Sequence, residues 1–172
     1  MLEGKFQPMR VRVLVVDDEL LHDTTGGRAS RALVKDLEAR NLDVVQAHSA
    51  DDGMSIATSD AAIHAVLMDW TLGDDDARTH AKARALLEFI RSRNEHVPVF
   101  LMAERREAAK LPVEVMQLAD EFIWMLEDTA SFVSGRVEAA ANRYIERLLP
   151  PMAKALGRFG RVHEYSWHTP GH

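Results

Sequence analysis

Five times in the stretch from Val11 to Met125, a short run of aliphatic side chains gives way to a stretch with helical spacing. No other property of the chain restricts its fold as much. The first run, Val11-Arg12-Val13-Leu14-Val15-Val16, stops abruptly at Asp17-Asp18-Glu19. A buried strand whose carboxyl end meets solvent reads this way. Thr24-Thr25-Gly26-Gly27 is loop chemistry, and a helix is predicted from about Arg28 to Arg40 with Ala29, Leu33 and Leu37 on one face. Leu42 to Ala47 is the second strand, and Ser49-Ala50-Asp51-Asp52 opens the second helix with cap-type residues. Ala65 to Met68 is the third strand, ending at Asp69. Gly73 and Asp74 to Asp76 form the next loop and helix start, where negative charge suits the helix dipole. Ala83, Leu86, Leu87 and Ile90 then share one stripe, Pro98 to Met102 is the fourth strand, and a helix over Arg105 to Leu118 must be interrupted at Pro112. Glu121 to Met125 is the fifth strand.

Such alternation predicts an α/β fold: a five-stranded parallel, doubly wound sheet with right-handed crossovers and helices on both faces. The common order for five such strands is 2-1-3-4-5, with the ligand crevice at the carboxyl ends of strands one and three. After the fifth strand the pattern changes. One long helix is predicted from Thr129 to Leu149, with Val133, Val137, Ala141, Tyr144 and Leu148 close to one side. Its period is nearer 3.6 than 3.5, which favours an intramolecular linker over a coiled-coil seam. Pro150-Pro151 marks a kink, Met152 to Phe159 a short continuation, and Gly157 and Gly160 its end. The expected organisation is therefore a leader over 1–10, a doubly wound domain over 11–128, a helical linker over 129–160, and the approach to a further domain over 161–172.

The 172 residues suffice for one domain with additional structure. With 27 acids against 21 bases the net charge is -6, which argues against a nucleic-acid partner. No cysteine is present, so thiol chemistry and cysteine-based zinc sites are excluded. No apolar run is long enough for a membrane span, and Met1 to Arg10 lacks the apolar core of a secretion signal, so the expected location is cytoplasmic.

Asp17, Asp18 and Asp69 end two strands expected to be neighbours. Three converging carboxylates repel one another unless a hard cation such as Mg²⁺ neutralises them. This set resembles the acidic pocket of response-regulator receiver domains. The resemblance implies that Asp17 and Asp18 hold Mg²⁺ and that Asp69 accepts a phosphoryl group. Two positions depart from it: Ala103 stands where receivers carry a Ser or Thr, and Met125 where they carry a lysine. The hydroxyl and the ammonium that would respond to a phosphoryl group are both missing. Read without the resemblance, the acids are a solvated cluster with weak affinity for a cation.

Other phrases point elsewhere. Val97-Pro98-Val99-Phe100-Leu101, the run from Asp120 to Ala130, Leu148-Leu149-Pro150-Pro151, His163-Glu164-Tyr165-Ser166-Trp167 and Pro170-Gly171-His172 occur in that order. Together with Leu21-His22, they resemble the amino-terminal part of the bacterial inducible arginine, lysine and ornithine decarboxylases. The stretch from Trp124 to Ala130 resembles the arginine-specific branch. The resemblance implies a receiver-like "wing" domain and a helical linker, joined to a pyridoxal-phosphate domain that removes the α-carboxylate of a basic amino acid. It also implies dimers that assemble into larger rings, with wing domains helping the contacts, so that the partners are the chain's own cofactor domain and other subunits. An acidic exterior suits assembly in acid, where protonated carboxylates no longer repel. Trp124, Tyr165 and Trp167 are expected at the seam with the cofactor domain.

In this family the cofactor-binding lysine follows a histidine. None of Lys5, Lys35, Lys82, Lys110 and Lys154 does so, and no glycine-rich phosphate loop is present, so the chain alone is expected to have no catalysis. Each of the eight histidines, taken singly, reads as a solvent-exposed imidazole. His168 and His172 are four apart, but Pro170-Gly171 prevents the helix that would align them on a metal. The rival to the decarboxylase reading is a stand-alone atypical receiver in signalling.

Overall fold

The computed structural model describes residues 10–59, 62–70 and 77–149. Five parallel strands form one sheet: β1 (Arg12–Val16), β2 (Asp43–Ala47), β3 (Ala65–Asp69), β4 (Val99–Ala103) and β5 (Glu121–Trp124). Their order is β2-β1-β3-β4-β5, as the alternation predicts. Val13 to Val16 pair with Val44 to Ala47 on one side and with Ala65 to Met68 on the other. Because β1, β3 and β4 are covered on both faces, their sequences are almost uninterrupted apolar runs.

Alternate residues feed two cores. Val13, Val15, Leu67, Phe100, Met102 and Ile123 pack with α1 (Thr25–Ala39) and α5 (Ala130–Leu148). Leu14, Val16, Val66, Met68 and Leu101 pack with α2 (Ala50–Thr58), α3 (Ala77–Arg93) and α4 (Val113–Met116). The predicted stripe on α3 is the buried one, with Ala83, Leu86, Leu87 and Ile90 all inside. Each of the large side chains there stabilises by roughly 2 kcal/mol. Gly53 lets α2 lie close to the sheet: an added Cβ would meet Leu86 at 2.7 Å and Val16 at 3.3 Å.

Three expectations change on folding. First, α1 starts at Thr25, so Gly26 and Gly27 lie in its first turn and not in a loop. The Thr24 hydroxyl caps the helix, accepting from the Gly27 N–H at 2.9 Å. A Cβ on Gly27 would come within 2.3 Å of the His22 carbonyl and 2.4 Å of the Glu19 carbonyl. The glycine is needed for close approach to the 3-10 turn Asp18–Leu21, not for a turn of its own. Second, the helix expected over Arg105 to Leu118 is interrupted at Pro112 as expected, but its first part, Arg105–Lys110, is a 3-10 segment and its second is only the single turn of α4. Third, the helix expected as a linker is packed along its length: Val133, Val137, Ala140 and Ala141 are buried in the core shared with α1, Tyr144 is buried in the other core, and only Leu148 of its stripe is exposed.

The expectations for residues 1–9, the Gly73 to Asp76 helix start, the Pro150-Pro151 kink, the short helix over 152–159, Tyr165, Trp167, and the His168/His172 pair fall outside the described residues.

Candidate functional site at the carboxyl edge of the sheet

β1 and β3 are adjacent, so their terminal acids converge. One ligand atom from each of Asp17, Asp18 and Asp69 lies within 4.8 Å of the others. The sequence expectation that these three residues meet is met in space. The expectation of a solvated cluster is corrected: Asp17 and Asp69 are fully buried and Asp18 is half-buried. Burial follows from the sheet itself, because Asp17 continues the ladder by donating its N–H to Ala47 at 2.9 Å.

Asp17 is closely supported. Its carboxylate accepts from the Ser30 hydroxyl and from the Glu19 N–H at 2.9 Å. Burial pushes the Asp17 carboxyl above its ordinary value of 3.8. The bonds from Ser30 and Glu19 act against that rise, the charge of Asp18 adds to it, and a side-chain hydrogen bond with Asp69 opposes it. Glu19 is a fourth acid, also raised by burial and then by Asp17 and Asp18. Its carboxylate lies against Gly26 in the first turn of α1. The sequence reading overlooked Ser30 and Glu19. Ser30 had a signal: it is a polar residue at the core-facing spacing of Leu33 and Leu37.

The rim explains what the cluster lacks. Ala103 ends β4 fully buried, and its carbonyl accepts from the Met125 N–H at 3.0 Å. Met125 packs into the core on the α1 and α5 side. The side chains of Ala103 and Met125 thus offer only carbon and sulfur. Beside Asp69, the buried Trp70 stacks on His80 with ring centroids 4.9 Å apart. Trp124 is half-buried beneath the Arg105 guanidinium, 5.0 Å from the ring centroid, and Arg105 bonds both oxygens of Glu127 at 3.0 Å.

The chemistry of the cluster leaves open a cation or a shared proton, and similarity to known proteins narrows what the domain is. Residues 25–144 match the family model described as "Orn/Lys/Arg decarboxylase, N-terminal domain". The chain belongs to that family. The biodegradative arginine decarboxylase of Escherichia coli K12 is 40% identical over 164 residues, covering 94% of this chain and 22% of that protein. A lysine decarboxylase of Pseudomonas aeruginosa is 26% identical over 170 residues, covering 97% of this chain and 23% of its own length. The chain therefore spans under a quarter of the decarboxylases it matches. In a solved structure, lysine decarboxylase A from Pseudomonas aeruginosa superposes with a TM-score of 0.77 over 95% of this chain and 22% of that one, at 26% identity. A response-regulator receiver domain protein from Clostridium thermocellum superposes with a TM-score of 0.61 over 81% of this chain and 99% of its own, at 21% identity, a likeness of fold. The decarboxylase N-terminal domain thus has a receiver-like architecture. Among its described residues no helix is long and apolar enough to cross a membrane.

Proposed function

We propose that this chain is the wing domain of a longer pyridoxal-phosphate-dependent decarboxylase of basic amino acids, and that it assembles or regulates the enzyme without catalysing. The family match over residues 25–144 carries this reading. Arginine is the favoured substrate, since the arginine enzyme shares 40% identity against 26% for a lysine enzyme.

Cofactor chemistry belongs to the remainder of such a protein. Pyridoxal phosphate needs a lysine in a sheltered site and a cradle for its phosphate. Lys35 is exposed, Lys82 is exposed and held to Asp51 at 2.7 Å, and Lys110 is exposed and paired with Glu107 at 3.4 Å. None of these described lysines fits the group, so no step of the reaction is assigned to this domain. The partners are then its own cofactor domain and other subunits of a homo-oligomer in the cytoplasm.

The acidic cluster is read as a weak Mg²⁺ pocket formed by Asp17, Asp18 and Asp69, with Asp69 at the phosphoacceptor position but no residue to transmit phosphorylation. Two measurements test the whole reading. The reading frame continued past His172 should encode several hundred residues with a His-Lys pair. Deleting residues 1–149 from that enzyme should leave cofactor-loaded dimers that no longer form larger assemblies in sedimentation. Intact assembly without the domain would overturn the assembly role. A mass gain confined to Asp69, on treatment with Mg²⁺ and a small phosphodonor, would favour the signalling alternative.

A further inference from the structure

At the opposite edge of the sheet a histidine takes the place of a backbone group. His64 immediately precedes β3, and its N–H donates to the Arg12 carbonyl at 2.9 Å. In return the Arg12 N–H donates to Nδ1 of the His64 ring at 2.8 Å. The imidazole therefore supplies the acceptor that a strand carbonyl would supply, adding one rung to the β1–β3 ladder. His64 is 3% exposed. The expectation of a solvent-exposed imidazole does not hold for it.

α5 closes over this rung. Its Tyr144, also 3% exposed, faces the His64 ring with centroids 6.5 Å apart. The Tyr144 hydroxyl accepts from the side-chain amide of Asn94, just beyond α3. One cluster thus joins the start of β3, the segment just beyond α3 and the last turns of α5.

We propose that His64 is an acid-sensitive latch that pins the end of α5 to the sheet while its Nδ1 accepts from Arg12, and that lets this edge open when the ring gains a proton. The reason lies in the direction of the bond. A neutral ring accepting at Nδ1 carries its proton on Nε2, so the next proton can enter only at Nδ1. There it would set one N–H against another and leave the Arg12 N–H buried without an acceptor. The charged surroundings offer little relief. On β1, Arg12 is cationic and is held to Asp43 of β2 at 2.9 Å. The cleft beside His64, of about 1000 Å³, is lined by Arg10 and Arg40 as well as by Asp43 and Glu138 of α5. Glu138 is 3.9 Å from Arg40, so both nearby carboxylates already face guanidinium groups. Consistent with this, burial and then the charge of Arg12 hold the His64 ring below its usual value of 6.5.

Amide hydrogen exchange on the full chain, corrected for intrinsic rates, tests the latch. Between pH 7.5 and pH 5, protection at the Arg12 amide and at the α5 amides around Tyr144 should fall together. One linked proton requires a fall of up to about tenfold per pH unit. In His64→Asn, whose carbonyl can still accept but cannot titrate, that fall should vanish. Unchanged protection in the parent, or the same acid-dependent fall in His64→Asn, would overturn the proposal. Should the variant not fold, ¹⁵N shifts of the parent ring decide: Nδ1 protonation without loss of protection at Arg12 refutes the latch.

Discussion

The two edges of the sheet handle charge differently. At the carboxyl edge the helices begin, and there stand Asp17, Asp18, Glu19 and Asp69, with Asp51 and Asp52 in the first turn of α2. At the amino edge the helices end, and acids and bases are mixed: Arg40 caps α1, Arg91 and Arg93 close α3 and Arg147 lies in the last turn of α5, while Asp43, Asp120 and Glu138 pair with arginines. Helix dipoles contribute where a helix has acids in its first turn, as α2 does, or bases in its last, as α3 and α5 do. The two edges consequently respond to protons with opposite sign. Asp17 is raised in the fold, so its contribution is fully present below pH 3.8 and is lost as pH rises through its folded value. His64 is lowered, so its contribution is present above pH 6.5 and is lost as pH falls through its folded value. Acidification favours one end of the domain and loosens the other.

The largest test of this contrast falls on Arg91. Its guanidinium donates to the carbonyls of Leu118 and Glu95 at 3.0 Å and of Val97 at 2.7 Å, and to Asp120 at 2.6 Å. It ties the end of α3 to the segments leading into β4 and β5. Arg91→Met should cost roughly 3 kcal/mol in urea denaturation, since several acceptors lose a charged donor together. A loss below about 1 kcal/mol would mean that water replaces the clasp.

Next comes Gly27→Ala on the carboxyl side. Carbonyls, unlike side-chain tips, cannot swing away from the new methyl, so about 2 kcal/mol of destabilisation is expected. A thermal melt matching the parent would show that the 3-10 turn yields. The smallest effect is expected from Asp18→Asn, which removes a charge that raises Asp17. Stability at pH 7 should increase by under about 1 kcal/mol. The gain should shrink as pH falls through the raised Asp17 value, because a protonated Asp17 no longer repels Asp18. Mg²⁺ at its dissociation constant should stabilise the parent by about 0.4 kcal/mol and the variant by less. A gain independent of pH would contradict the assigned origin of the strain.

Most of the architecture could be read from the chain, because strands covered on both faces advertise themselves as apolar runs. The convergence of Asp17, Asp18 and Asp69 was legible for a similar reason: a doubly wound order puts β1 beside β3. What escaped depended on partners distant in sequence. Gly26 and Gly27 carry a turn signature, yet the backbone of Glu19 and His22 decides their role. His64 resembles any other histidine until the Arg12 N–H is placed against its ring, 52 residues away in the chain. The brevity of α4 was visible only as Pro112, whose effect on helix length was underestimated.

Arg40 gives α5 an asymmetric mounting. It donates to the Ser134 hydroxyl at 2.8 Å and the Ser131 carbonyl at 3.2 Å, while the Ser134 hydroxyl in turn donates to Asp36. The near end of the helix is thereby bolted to α1 by groups that stay charged across the acid range in which an imidazole titrates. The far end rests on His64. In mechanical language α5 is a cantilever, fixed at its root by charged groups and steadied at its tip by a support that includes an acid-sensitive rung. A downstream body attached to that tip would gain angular play on acidification without ever coming adrift.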